Sequence, residues 1–98
     1  MQVQVIENRA DLAGTIKEIR PHKELANQYT VKLDVESVQS VDGMANLMTW
    51  AKGLSIEVTV PADQVTKRSL ARGKKVTLRV KQAGPTAVVA VPMPTDKP

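Results

Sequence analysis

Three stretches of the chain alternate apolar and polar residues with a period of two. In YTVKLDVES, residues 29–37, every second side chain is apolar, and the pattern returns in LSIEVTV (54–60) and KKVTLRVKQ (74–82). This period is typical of β-strands that bury one face. We therefore predict three strands, with Tyr29 and Leu54 among the inward-facing side chains. AVVAV, residues 87–91, predicts a last short strand.

An earlier stretch, LAGTIKEIR at residues 12–20, alternates with one irregularity. Leu12, Gly14 and Ile16 share one face, whereas Ile19 falls on the other. A β-bulge near Gly14 or Glu18 would reconcile them, because one extra residue redirects the side chains that follow. The next residues, PHKELANQ, contain turn formers and predict a loop.

The stretch PADQVTKRSLARG, residues 61–73, predicts a short helix between two strands. Asp63 is the expected N-cap, and Gly73 is expected where the helix ends. Val65 and Leu70 are the side chains expected to face the core.

The segment DGMANLMTWAKG, residues 42–53, permits two structures. With a helical period its apolar side chains form one stripe: Met44, Leu47, Met48 and Ala51. Asp42 would then be the N-cap and Gly53 the C-terminal stop, which slightly favours a short helix. Asp42-Gly43 is also a strong hairpin turn signal, so a strand ending at Trp50 is the alternative.

These elements predict a mostly β fold in which strand, strand, strand, helix, strand and strand follow one another. Short antiparallel strands avoid exposed edges by closing into a barrel. Over residues 12–91 the order resembles the OB-fold. We therefore expect a single OB-like five-stranded antiparallel barrel with one or two short helices over residues 1–92, followed by a disordered proline-rich tail at 93–98.

Within that superfold, LAGTIKEI (12–19) and SLARGKKVTLRVK (69–81) are similar to the TOBE-type domains of ABC transporter subunits and molybdate-binding proteins. The resemblance implies binding of a small oxyanion. At 82–85 this chain has QAGP, where the molybdate binders have a small polar stretch that contacts the anion. No ligand residue is therefore carried over from that family.

The composition limits the chemistry and the cellular setting. The 98 residues include one Trp, one Tyr and neither Phe nor Cys, so the core must be aliphatic and no thiolate site or disulfide is available. Glu7 and Asn8 interrupt what would be the apolar part of a signal peptide, and no later stretch approaches a membrane span. We expect a soluble cytoplasmic protein without membrane contact.

Catalytic and metal-binding patterns are poorly represented. His22 is the single imidazole and lies in the predicted loop, which favours an exposed structural role. The carboxylates show no metal-binding spacing, the serines lack a nucleophile elbow, and no glycine-rich phosphate motif occurs. We therefore expect a protein that is not an enzyme and uses no cofactor or metal.

Positive charge is concentrated in one part of the chain. The formal net charge is +4, and residues 67–81 contain no acidic residue. The basic residues of that stretch are Lys67, Arg68, Arg72, Lys74, Lys75, Arg79 and Lys81. Lys17 is expected to extend them, because the first and fourth strands of an OB-like barrel pair. Such a row suits a nucleic acid backbone, although a basic face can equally serve solubility and discourage strand aggregation.

Two classes of binding function follow from these patterns. The leading hypothesis is a non-catalytic module that contacts the phosphate backbone of nucleic acid. Contact with the bases is less expected, because only Tyr29 and Trp50 could stack on them. The alternative is a protein-interaction or homo-oligomerisation domain that uses Met44, Leu47, Met48 and Trp50. If that segment only closes the barrel, its large side chains should be buried, so the exposure of Trp50 distinguishes the two roles.

Overall fold

The computed structural model describes residues 8–83 and 87–91, which form a closed five-stranded barrel. Its elements are β1 (Ala10–Pro21), β2 (Gln28–Ser40), a 3-10 helix (Thr49–Ala51), β3 (Ser55–Pro61), α1 (Ala62–Lys67), β4 (Lys75–Gln82) and β5 (Val88–Ala90). The predicted strands and the helix between the third and fourth strands are confirmed. The predicted tail at 93–98 lies outside the described residues.

Around the barrel the strands follow the order β1-β2-β3-β5-β4, and β4 pairs back onto β1. Four of the five pairings are antiparallel, but β3 and β5 are parallel, with Thr59 opposite Val89. The predicted mostly β barrel is confirmed with this one exception to antiparallel pairing. A small closed barrel of this order is consistent with an OB-like fold.

The pairing of β1 with β2 has two irregularities. Ala13 lies opposite Ser37 but Gly14 lies opposite Val35, so one residue of β2 is unmatched. A second shift, between Ile16 and Glu18, leaves Lys17 unmatched on β1. The sequence predicted a bulge near Gly14 or Glu18, and the structure has an irregularity at each of these places.

Gly14 is required at the first bulge for a steric reason. A Cβ at this position would lie 1.9 Å from the backbone oxygen of Asp34, far inside van der Waals contact. Ile16 is buried, and Ile19 packs against the core after the second bulge. The second bulge, in which Lys17 is the extra residue of β1, thus places both isoleucines on the inner side.

The core is aliphatic and is drawn from all five strands. Its larger fully buried side chains are Leu12, Ile16, Val31, Leu33, Met48, Val58, Val60, Leu78 and Val80. Burying one such side chain contributes about 1.5–3 kcal/mol. Leu54, predicted to face inward, is 49% exposed because it precedes β3 in a turn where its N–H donates to Ala51.

α1 follows β3 and contacts β3 and β2 near the end of the barrel where β2 begins. The helix has no side-chain cap, so the prediction that Asp63 caps it is wrong. It also ends earlier than Gly73. Ser69 adopts a left-handed φ of 52°, and the N–H of Leu70 donates to Val65 O at 3.0 Å, which is a Schellman C-terminus.

Residues 42–54, here called the cap segment, connect β2 to β3 at the opposite end of the barrel. The predicted helix capped by Asp42 is wrong, and so is the alternative strand. Gly43 has a φ of 79° and completes a turn, and Ala45 then forms an isolated parallel bridge with Asn8. Residues 46–48 have no regular structure, and a single 3-10 turn follows at Thr49–Ala51.

Candidate binding surfaces

The structure collects five of the predicted cations where α1 leads into β4. This surface, here called the cationic corner, consists of Lys67, Arg68, Arg72, Lys74 and Lys75. Lys67 is the last residue of α1, and Lys75 is the first residue of β4. The corner is anchored to β1, because the N–H of Gly73 donates to Ile16 O at 2.7 Å.

Backbone carbonyls hold two of these cations in place. Lys74 Nζ donates to Arg68 O at 2.6 Å and to Ser69 O at 3.3 Å. Arg68 Nη2 donates to Thr77 O at 2.7 Å. The carbonyls that receive Lys74 lie just beyond the C-terminus of α1, where cations are favoured by the helix dipole. The local fold therefore positions positive charge here.

Arg79, by contrast, is compensated within the barrel wall. Its Nε and Nη2 donate to the two carboxylate oxygens of Asp11 at 2.9 and 3.1 Å. Both side chains are mostly buried, at 20% and 18% exposure. The hydrogen bonds from Arg79 to Asp11 raise the pKa of Arg79 above its ordinary value. Arg79 therefore does not act with the cationic corner as an uncompensated charge.

Lys17 also belongs to a different surface. It is the unmatched residue of the second bulge, beyond the point where Thr15 meets Lys75 and β1–β4 pairing ends. Its Nζ lies 3.4 Å from Asp34 Oδ2. A hydrogen bond from Ser55, followed by the charge of Lys17, lowers the pKa of Asp34.

The outer face of β2 and β3, which OB-folds often use for ligands, carries balanced charge. Arg20, at the adjoining end of β1, donates to Glu18 and, at 3.0 Å, to Glu57 of β3. The bond to Glu18, and after it the bond to Glu57, raises the pKa of Arg20. Together with the pair formed by Lys17 and Asp34, they leave little net charge for a polyanion on this face.

The remaining cations are less constrained. No ion pair or hydrogen bond joins the side chains of Lys67, Arg72, Lys75 and Lys81 to any residue within 8–83 or 87–91. Lys81 lies opposite Val89, near the other end of β4. Beside Lys75 is an open depression of about 240 Å³ that Glu36 also lines. Thr15 donates to the Glu36 carboxylate at 3.3 Å.

The cap segment combines buried and exposed apolar side chains. Met48 and Ala51 are fully buried and close the barrel end, whereas Trp50 is 48% exposed and Met44 and Leu47 are each 38% exposed. Trp50 Nε1 donates to Gln82 Oε1 at 3.4 Å, which places the indole beside the end of β4. Met48, predicted as a partner contact, is therefore a core residue.

Asn8 forms hydrogen bonds with Gln82, the residue at the end of β4 that Trp50 contacts. Its Oδ1 accepts from Gln82 N at 2.7 Å, and its Nδ2 donates to Gln82 O at 3.1 Å. Arg9 N donates to Ala45 O at 3.0 Å and ties the cap segment to the same region. Gly84 and Pro85, in the QAGP stretch that was compared with the molybdate binders, lie outside the described residues.

His22 has a structural role in the loop between β1 and β2. Its Nδ1 accepts hydrogen bonds from the N–H groups of Glu24 and Leu25, both at 3.0 Å. Among the residues that the structure describes, no group of three or more histidine, aspartate or glutamate side chains is placed to hold a metal ion. The described helices are also too short to cross a membrane.

Comparison with known proteins does not assign the chain to a family. A scan against protein-family models finds no match, and a search of curated proteins finds no significant relative. Function must therefore be argued from the two surfaces themselves.

Proposed function

We propose that this protein is a non-catalytic binding module that contacts the phosphate backbone of nucleic acid through the cationic corner. The observation that carries the proposal is the concentration of five cations within residues 67–75, with no acidic residue among them. Neutralising phosphates releases condensed counterions, which strengthens binding at low salt.

The local structure supports this use of the corner in two ways. Lys74 is held by two backbone carbonyls, so less side-chain freedom is lost when a phosphate binds nearby. Lys67, Arg72 and Lys75 make no competing side-chain bond with a described residue. Their charges therefore act outward.

Binding to a mixture of DNA and RNA fragments at low salt tests the proposal. Arg72→Glu/Lys75→Glu should abolish the mobility shift. Lys23→Glu/Lys32→Glu is the matched control, because it changes the net charge equally but lies on the loop after β1 and on β2. Equal loss in both variants would mean that net charge alone governs binding. No shift with the unaltered protein would reject the proposal.

A second candidate function uses the exposed side chains of the cap segment. Of the five exposed large apolar side chains among the described residues, four are here: Met44, Leu47, Trp50 and Leu54. Exposed apolar surface of this kind commonly marks a contact site, and tryptophan is enriched at interface hot spots. This candidate is a docking surface for another protein.

The charge next to Trp50 favours one kind of partner, an apolar peptide segment flanked by carboxylates. Lys52 is exposed two residues after Trp50, and Lys81 precedes the glutamine that Trp50 contacts. A second copy of the chain is less suited, because each copy carries a formal charge of +4 and like charges repel.

Trp50 fluorescence during titration with an acidic apolar peptide tests this docking. The peptide should change the emission, and a version with lysine in place of its acidic residues should not. Trp50→Ala, followed by calorimetry, should lose binding, whereas Leu25→Ala, at an exposed leucine in the β1–β2 loop, should retain it. Dimerisation without peptide, measured by light scattering, would instead indicate a second copy as the partner.

A further inference from the structure

From the placement of the aromatic side chains we infer that the cationic corner prefers double-stranded to single-stranded nucleic acid. This inference rests on the proposed function and specifies its substrate class. It depends on what surrounds the cations, because proteins that bind single strands combine a positively charged groove along the backbone with aromatic rings on which bases stack.

Neither aromatic residue of the chain is placed to help the corner bind bases. Trp50 contacts Gln82, the last residue of β4, whereas Lys75 is the first. Seven residue steps along a strand separate these positions by about 23 Å. Tyr29 is half-buried in β2, on the side of the strand that carries the core residue Val31. Trp and Tyr occur once each, and Phe is absent.

The depression that the described residues form next to the corner is not a purely positive groove. The depression beside Lys75 is lined by the Glu36 carboxylate, which would repel a phosphate strand lying in it. Further along β4, Asp11 compensates Arg79. A single strand would therefore leave the cations after a short contact, without gaining stacking or, from the described residues, further uncompensated charge.

A duplex needs neither of those features. It presents one negative charge for about every 1.7 Å of helix axis, on two strands held at fixed separation. Cations contributed by a helix end, a loop and a strand start can contact such a surface without separating the bases. The corner therefore gains more counterion release from a duplex than from a flexible single strand.

Fluorescence anisotropy with one labelled oligonucleotide, alone and annealed to its complement, tests the preference at several salt concentrations. We expect the duplex to bind several-fold more tightly, with a slope of log affinity against log salt near −3, for roughly three contacted phosphates. Arg72→Ala/Lys75→Ala should reduce that slope by about 2. Circular dichroism should show the same fold for the variant.

Tighter binding of the single strand, or quenching of Trp50 on its addition, would overturn the inference while leaving nucleic acid as the ligand. Equal affinity for both forms would also overturn it. Binding of neither form at low salt would reject the proposed function itself, so the two failures are distinguishable. A slope unchanged by the substitutions would place the contact elsewhere on the barrel.

Discussion

The cationic corner and the cap segment lie toward opposite ends of one barrel. They differ in the free-energy cost of exposing their side chains to water. Lys67, Arg72 and Lys75 at the corner are charged groups that water solvates well, so their exposure requires no partner. Trp50 and Leu54 leave apolar surface in water, at about 25 cal/mol for each Å² that a partner would cover. As a candidate binding site, the corner is supported by the larger number of residues. The cap segment is supported by the free-energy cost of leaving each of its apolar side chains in water.

The comparison also shows how each end combines stability with binding. At the corner, the exposed Lys74 binds backbone carbonyls beyond α1 and also adds to the positive charge of the surface. In the cap segment, adjacent residues divide the roles, because Met48 fills the core and Leu47 is exposed. A substitution of Lys74 is therefore expected to affect both folding and binding, whereas substitutions of Met48 and Leu47 should affect them separately.

The largest expected effect is within the cap segment. Met48→Ala should lower the free energy of unfolding by roughly 3 kcal/mol, because it removes a fully buried side chain and leaves a cavity at the barrel end. Met44→Ala, a matched change at an exposed position, should alter it by less than about 1 kcal/mol. Chemical denaturation measures both. Similar losses would mean that the whole segment is core and that the two ends do not differ as described.

Asp11→Ala should have the next largest effect and should enlarge the cationic surface. Losing two charge-assisted hydrogen bonds in a mostly buried pair should lower the free energy of unfolding by about 1–2 kcal/mol. Arg79, freed from Asp11, should then strengthen nucleic acid binding at low salt. In Asp11→Ala/Arg79→Ala that gain should disappear. Weaker binding by Asp11→Ala would contradict the view that Asp11 reduces the positive charge available to nucleic acid by neutralising Arg79.

α1, the helix that leads into the corner, contains a position where an apolar side chain is expected to be more stable than the native one. Gln64 is 7% exposed, and its Oε1 has no hydrogen-bond partner among the described residues. Gln64→Leu removes this buried unsatisfied oxygen and should raise the free energy of unfolding by about 1 kcal/mol. Gln39→Leu, at an exposed position of β2, serves as the control and should change little. Thermal melts compare them, and a loss of stability in Gln64→Leu would show that the amide is satisfied in solution.

The smallest stability effect is expected for Trp50. Trp50→Ala removes a half-exposed ring and one long hydrogen bond to Gln82, so the free energy of unfolding should fall by less than about 1 kcal/mol. The emission of the unaltered protein should be that of a hydrated indole and should be quenched readily by iodide. Blue-shifted, unquenched emission from a monomer would assign Trp50 to the core and remove the cap segment as a docking surface.

Several features of the barrel were predictable because they follow from local periodicity. Alternation identified β2, β3 and β4, since a strand with one buried face needs an apolar residue at every second position. Ile16 and Ile19 required a bulge, because both are apolar but fall out of register. Leu54 was misjudged for the same reason, since it continues the pattern of β3 but lies in the turn before that strand.

Contacts between distant parts of the chain decided which of the predicted binding residues belong to the cationic corner and which do not. The sequence showed that cations cluster within residues 67–81, but not that Arg79 faces Asp11. That pair could have been found by aligning β1 with β4 in antiparallel register. For Lys17 no such signal exists, because the bulge that directs it toward Asp34 depends on how β1 pairs with β2.

By itself, the sequence determined a small aliphatic β-barrel with a basic stretch near its fourth strand, because composition and a period of two are local properties. Tertiary structure alone decided that Met48 is buried while Trp50 is exposed. The bridge between Ala45 and Asn8 joins the cap segment to residues that precede β1, and the segment does not form the helix that the local pattern favoured. Local preference is weak in a segment of this length, so contacts that close the barrel end determine its conformation.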